Sequence, residues 1–445
     1  MLDFKKYSRI SGEAGWIAGG QFASVLGALV GVRMLTGYLE PRAYGELALW
    51  ITLVTLSQQV VFAPLGNAVV RFFAPLRDSN ALGVFFAAVR WFYLRAIISG
   101  AGLAVLGYFV ADHWNPGSGS IAALATVYAL VLGCGAALDC IQNAARQRAI
   151  VAFHGAMGQW LKFPLAVVAI YILHPRAGSA ICGYAVAAIV ILTSQTAFLR
   201  RTFHEDLKGK SGAVVSCLTE KMWRYAWPFA AWAPFTWFQL SADRWSLQHY
   251  VDTTHVGLYQ AFYQIGYAPI SLLTGFVVNL ATPVLFDRAG DGTSADRLQL
   301  ASRFNNIIVL LAVSLTAVAV VITWFLHADI CKLLLASAYR SESHLLPWFV
   351  LSGGMFAAGQ VLTLNSTLGM DTRALLHPKI GTAASGTALT FVLTRFMGMF
   401  GTVVAGALFS SGYFIWLVCL NRRSLKRDFS ELVFSTTAVV RTRFS

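Results

Sequence analysis

The chain has 445 residues, 57% hydrophobic and 12% charged, with a mean hydropathy of +0.62 and a net charge of +14. Soluble domains carry about 25% charged residues, so a soluble enzyme is excluded, and the basic surplus calls for no nucleic-acid partner because it follows a membrane topology. The six cysteines (Cys134, Cys140, Cys182, Cys217, Cys331, Cys419) are scattered without a CxxC pair, so neither a disulfide framework nor a metal site is indicated.

Apolar stretches of about 20 residues recur along the whole length. Twelve spans fit: 13–36, 45–65, 84–110, 119–140, 149–173, 178–199, 223–245, 256–285, 304–326, 345–368, 378–396 and 400–420. The first lacks a small-residue cleavage site and exceeds a signal-peptide core, so it reads as a permanent helix. With both termini inside, 24 of the 34 Lys and Arg fall in inner segments, counting Arg224 and Lys379 at inner helix ends with them. Four fall in outer loops and six within spans, which is the asymmetry of the positive-inside rule.

Taken in order, the first span carries Arg33 near its outer end, and PLGNAVVRFFAP places Arg71 just inside the second. The third span holds Arg90 toward the inner side and Arg95 roughly 17 Å in from Val84, at 1.5 Å per residue. On the fifth, His154, Gly158 and Lys162 are spaced i, i+4, i+8 and share one stripe, with Lys162 roughly 20 Å in from Ala149. The basic stretch RRTFHEDLKGKSGAVVSCLTEK then divides the spans six and six. In the seventh span Trp232 and Trp237 offer indole faces for sugar stacking, and Asp243 and Arg244 follow near the outer end. Being sequential on a helix, these last two point about 100° apart, so Asp243 is expected to meet a neighbouring helix while Arg244 faces a cavity. Arg395 lies near the outer end of the eleventh span. Prolines 64, 164, 228, 234, 269 and 283 punctuate the spans and free backbone carbonyls there.

A faint repeat accompanies the six-plus-six division. Arg33 stands twelve residues before Gly45, and Arg244 thirteen before Gly257; each pair reads as a helix end, a short loop and a glycine opening the next helix. The expected fold is an all-α polytopic membrane protein, about 12 transmembrane helices in two six-helix lobes around a central cavity. The N-terminal lobe is 1–199, a cytoplasmic linker 200–222, the C-terminal lobe 223–420 and a basic cytoplasmic tail 421–445, placed along the anionic inner surface.

No nucleophile elbow, HExxH, P-loop or paired-carboxylate signature appears, and no loop has room for a soluble catalytic domain. The intramembrane cations Arg33, Arg90, Arg95, Lys162, Arg244 and Arg395 stand out against few span acids: Asp243, Asp139 and Glu46. Central charges cost about 2.5–3.5 kcal/mol each on insertion scales, so the surplus points to a wet cationic cavity and an anionic cargo. For Arg33, Arg90, Arg244 and Arg395 snorkelling to headgroups is the competing reading. His154 reads either as a satisfied buried residue or as a proton relay.

The stretches GWIAGGQFASVLGALVGVRMLTGYLEPRAYGELALW, PLGNAVVRFFAP and ADRWSLQHYVDTTHVGLYQAFYQIGYAP resemble polysaccharide-type flippases of the multidrug/oligosaccharidyl-lipid/polysaccharide superfamily. The resemblance implies two six-helix lobes, alternating access, and a polyprenyl-pyrophosphate-linked oligosaccharide as cargo at the bacterial inner membrane. It implies no cofactor, and polysaccharide polymerase and glycosyltransferases of one pathway as partners. Positional carry-over is limited to Asp243, Arg244, Arg71 and Arg33. Leu393–Gly406, LTRFMGMFGTVVAG, fits the family's last hairpin loosely and lacks its usual proline. The rival readings are a cation-coupled drug exporter, which would favour intramembrane acids, and a membrane-embedded polymerase or glycosyltransferase; lipid II is a further cargo open to the sequence.

Overall fold

With no water in the bilayer core, an apolar span must satisfy its backbone internally, and a helix does so within one segment. In the computed structural model, which describes residues 4–114, 119–204, 213–289, 295–368 and 375–422, all twelve expected spans are helical. The helices are α1 Phe4–Tyr38, α2 Pro41–Ser57, α3 Ala63–Asp78, α4 Leu82–Trp114, α5 Gly119–Ala144, α6 Arg148–Leu173 and α7 Ala177–Thr202. They continue as α8 Ala213–Tyr250, α9 Thr253–Phe262, α10 Ala268–Ala289, α11 Ala295–Leu334, α12 Leu346–Leu368 and α13 Leu376–Leu420. Among the described residues nine helical segments are long and apolar enough to cross a membrane. Outward-facing rings such as Phe325, 78% exposed, and Tyr171, 86% exposed, suit lipid and not water. Of the expected linker, 205–212 lies outside the described residues, as does the basic tail from Arg423 onward.

Short π-turns, Gln58–Phe62 and Tyr263–Tyr267, join α2 to α3 and α9 to α10. Each is followed two residues later by a proline, Pro64 and Pro269, which has no N–H for the regular ladder. The repeat read from the glycines thus extends further: a long helix, a two-residue link, a helix with glycine at its fifth position, a π-turn and a proline.

α13 holds two spans. Gly398, at φ 59° and ψ −139°, breaks it, a conformation that only glycine adopts without strain. The arms fold back on each other: Thr394 and Thr402 share a hydroxyl hydrogen bond of 2.9 Å, and Gly386 and Gly381 abut Phe409 and Trp416. Glycine alone makes the reversal for which the sequence offered no proline.

The chain divides into two compact units. The first comprises 1–261 and 334–339, the second 262–333 and 340–445. In the first, aromatic residues Phe62, Phe73, Phe85, Phe86, Phe92 and Tyr93 build a core with Ile141, Leu199 and Met222, joining α3, α4, α5, α7 and α8. α2 and α9 touch at Gly45 and Gly257, where a Cβ on either would strike the other helix's carbonyl (Thr253 or Pro41), so only glycine permits the crossing. Residues 334–339 close on the end of α1: Tyr339 donates its hydroxyl to the Leu39 carbonyl at 2.8 Å, and the Ala336 N–H to Thr36 at 3.2 Å.

In the second unit α12 is the central helix, with most of its residues buried. Polar contacts supply register where lipid removes the hydrophobic drive between helices. Asn305 of α11 donates to the Val361 carbonyl and to Asn365 of α12, which donates on to Asn306. Ser352 of α12 bonds Ser410 and the Gly406 carbonyl of α13.

Candidate functional site

The Asp243–Arg244 pair sits where α8 meets α9. Arg244 is 6% exposed. Its Nη1 donates to Asp243 Oδ1 at 2.9 Å and Oδ2 at 3.1 Å, its Nε to Gln260 Oε1 at 2.8 Å, and Nη1 also reaches the Leu240 carbonyl at 3.0 Å. Tyr259 completes the cluster, its hydroxyl 2.6 Å from Asp243 Oδ2. The expectation that the two side chains point apart, with Arg244 in a cavity, is therefore corrected. The arginine's long stem curls back, because in a low-dielectric setting an ion pair with filled hydrogen bonds costs less than two separate charges. Arg244 leaves the set of cargo-facing candidates and becomes the tie between α8 and α9.

The stripe on α6 does what its spacing predicts. His154, Gly158 and Lys162 line one cavity of about 390 Å³ among α5, α6, α7 and the first π-turn. Gln58, Asp139, Gln159 and Gln195 face the same space. Lys162 Nζ stands over the rings of Phe163 and Tyr184 at 4.5 and 5.4 Å. Among the described residues no carboxylate lies within 4 Å of it, although Asp139 shares the cavity. Asp139 accepts instead from Gln195 Nε2 at 2.7 Å, and the buried Gln195 Oε1 has no partner among the described residues. His154 is satisfied: Nδ1 donates to the Ile150 carbonyl at 2.9 Å, which can only accept, and Nε2 shares a hydrogen with the Ser194 hydroxyl at 3.0 Å. Phe153 and Phe198 pack edge-on against its ring.

Arg95 lines a larger cavity of about 900 Å³ walled by the first π-turn, α3, α4, α5 and α8. Its guanidinium lies 3.5 Å from the Trp91 ring centroid, a cation–π contact that steadies a charge among apolar walls. Glu220 faces the same cavity but is held by Arg224 at 2.6 Å. Arg95 thus carries an exposed charge with no carboxylate of its own among the described residues.

The other candidates separate. Arg90 lines a third cavity, with Arg200, between α4, α5 and α7. Arg33, Arg71 and Arg395 are exposed on their own units and share none of these three cavities. Trp232 is exposed beside Phe235. Trp237 donates its indole N–H to the Thr52 carbonyl at 2.6 Å, and Trp245 donates to the Thr52 hydroxyl, so both indoles brace α8 on α2. Sequence reasoning missed Gln195, the one amide in the sixth span, set among Thr193, Ser194 and Thr196, and the pairing of Arg200 with Arg90, which lie 110 residues apart in the chain.

The chain matches no protein-family model and no curated protein. Among solved structures it is similar to the lipid II flippase MurJ in its inward closed conformation, at 12% identity over 96% of this chain and 93% of that one, with a TM-score of 0.67. An inward-facing multidrug resistance MATE family transporter of the MOP superfamily matches at 13% identity over 92% and 96%, TM-score 0.63. The eukaryotic MATE transporter AtDTX14 matches at 13% identity over 95% and 99%, TM-score 0.60. At such identities the likeness is one of backbone architecture: the chain has the fold of the MATE transporters and of the flippase MurJ.

Proposed function

We propose that this protein is a flippase that carries a polyprenyl-pyrophosphate-linked oligosaccharide from the inner to the outer leaflet of the bacterial inner membrane, for surface polysaccharide synthesis. The observation that carries the reading is the pair of deep cations, Arg95 and Lys162, each at a cavity and neither held by a carboxylate among the described residues. In this reading the termini are cytoplasmic, two six-helix lobes rock about a central cavity, and pathway polymerase and glycosyltransferases work beside it. Each unpaired polar group of a glycan costs several kcal/mol in hydrocarbon, so unaided flipping is very slow and a polar, cationic passage removes much of the barrier. The cations recruit the pyrophosphate while the prenyl tail stays in lipid. With the inside negative, export gains about 2.3 kcal/mol per charge per 100 mV if the whole potential is crossed.

A drug exporter is the second reading, favoured by Asp139 in the Lys162 cavity and by the MATE likeness. The test is flipping of a fluorescent lipid-linked oligosaccharide in vesicles. The Arg95→Gln/Lys162→Gln double variant should lose translocation while reaching the membrane at the level of the parent. Unimpaired flipping by that variant rejects the cationic passage, and efflux of cationic drugs without lipid flipping supports the exporter.

A further inference from the structure

The cavity between α4, α5 and α7 has a volume of about 550 Å³ and is lined by two arginines, Arg90 and Arg200. No carboxylate lines it, and among the described residues none lies within 4 Å of either guanidinium. Arg200 is in the last turn of α7, and Arg90 lies about 12 Å along α4 from Leu82 at 1.5 Å per residue. The cavity therefore lies toward the end of the spans where α4 begins and α5 and α7 finish, within reach of headgroups. Taken singly, each arginine has a plain explanation: Arg200, beside Arg201, complements the α7 C-terminus, and Arg90 extends its stem toward the surface. Those explanations do not account for both arginines lining one cavity whose other walls are largely apolar. Cations that share a space with low-dielectric walls concentrate a positive field there and attract an anion.

We infer that this cavity holds the phosphate group of an anionic membrane phospholipid, with Arg90 and Arg200 on the phosphate oxygens. Arginine suits this role because its planar fork offers paired N–H donors to phosphate. Basic pockets between helix ends are established places for acidic lipid headgroups. The remaining walls decide between a lipid and a free phosphate ion: Phe86, Val89, Leu138, Ile141 and Leu192 present hydrocarbon. A free phosphate would leave them uncovered, whereas the acyl chain of a phospholipid would lie against them. The site is separate from the cavities of Arg95 and Lys162, so it stands or falls independently of the cargo.

The test is native mass spectrometry of the purified full chain in a neutral detergent, titrated with phosphatidylglycerol or with phosphatidylcholine of the same acyl chains. The parent should bind phosphatidylglycerol at least about tenfold tighter, a difference of about 1.4 kcal/mol. Arg90→Gln/Arg200→Gln should erase that preference and leave phosphatidylcholine binding unchanged. Arg90→Gln and Arg200→Gln taken singly should each weaken phosphatidylglycerol by about threefold, and they carry the test if the double variant does not fold. Arg201→Gln, in the same helical turn but outside the cavity, should change nothing. Equal retention of the two lipids by the parent overturns the proposal. So does a loss in Arg201→Gln as large as in the double variant, and so does displacement of the lipid by millimolar inorganic phosphate.

Discussion

Replacing Arg244 by methionine keeps most of the stem and removes the charge, so it isolates what the guanidinium does. Asp243, with a side chain 18% exposed, would lose the Nη1 contacts at 2.9 and 3.1 Å, and Gln260 and the Leu240 carbonyl would each lose a donor. Breaking a buried ion pair from one side costs about 3–5 kcal/mol. The Tyr259 hydroxyl and the Arg244 backbone N–H would still reach Asp243, which places the expected loss near the lower end, about 3 kcal/mol. That is roughly a 150-fold rise in the unfolding constant. The assay is equilibrium unfolding of the detergent-solubilised protein for Arg244→Met, Asp243→Leu and the double variant. The double variant should lose clearly less than the two singles added together, because it leaves no orphaned charge. A single variant within about 0.5 kcal/mol of the parent, the behaviour of an ordinary surface substitution, would refute the buried tie and return Arg244 to the cavity-facing set.

Three more outcomes are expected. Gly45→Ala drives a methyl into the Thr253 carbonyl and should destabilise by about 1–3 kcal/mol, whereas Gly37→Ala, which meets open space, should be neutral; parallel unfolding curves compare them. Thr394→Cys/Thr402→Cys should cross-link readily under oxidation, since the two hydroxyls lie 2.9 Å apart; in an unbroken helix these positions would be about 12 Å apart along the axis and no bond would form. His154→Leu loses both ring hydrogen bonds and leaves the Ser194 hydroxyl unmet, for about 1–3 kcal/mol, while Ser194→Ala should cost no more than about 1 kcal/mol by the same measurement.

Much of the architecture was legible because it depends on quantities a sequence carries directly. Span length, hydropathy and the i, i+4, i+8 spacing of His154, Gly158 and Lys162 are local, and bilayer thickness and helical geometry convert them into structure with little freedom. Even the weak repeat around Gly45 and Gly257 was legible, since each glycine opens a helix at the same position. Side-chain partners were not. Asp243 and Arg244 diverge as Cα–Cβ vectors, yet the flexible arginine stem lets them meet, and whether it does so depends on Tyr259 and Gln260 arriving on another helix.

The amino-acid sequence alone therefore determined the helical, membrane-spanning class, the approximate positions of the spans, and the surplus of cations over acids, all consequences of local composition; helix ends such as Phe4, Ala213 and Leu334 lie well beyond the apolar stretches. Tertiary structure decided which of those cations are tied up and which face open space: Arg244 locked in an ion pair, Lys162 resting over aromatic rings, Arg95 on Trp91, Arg90 beside Arg200. Such choices depend on contacts between residues far apart in the chain, where desolvation and hydrogen-bond geometry set the outcome and spacing along the sequence carries no information.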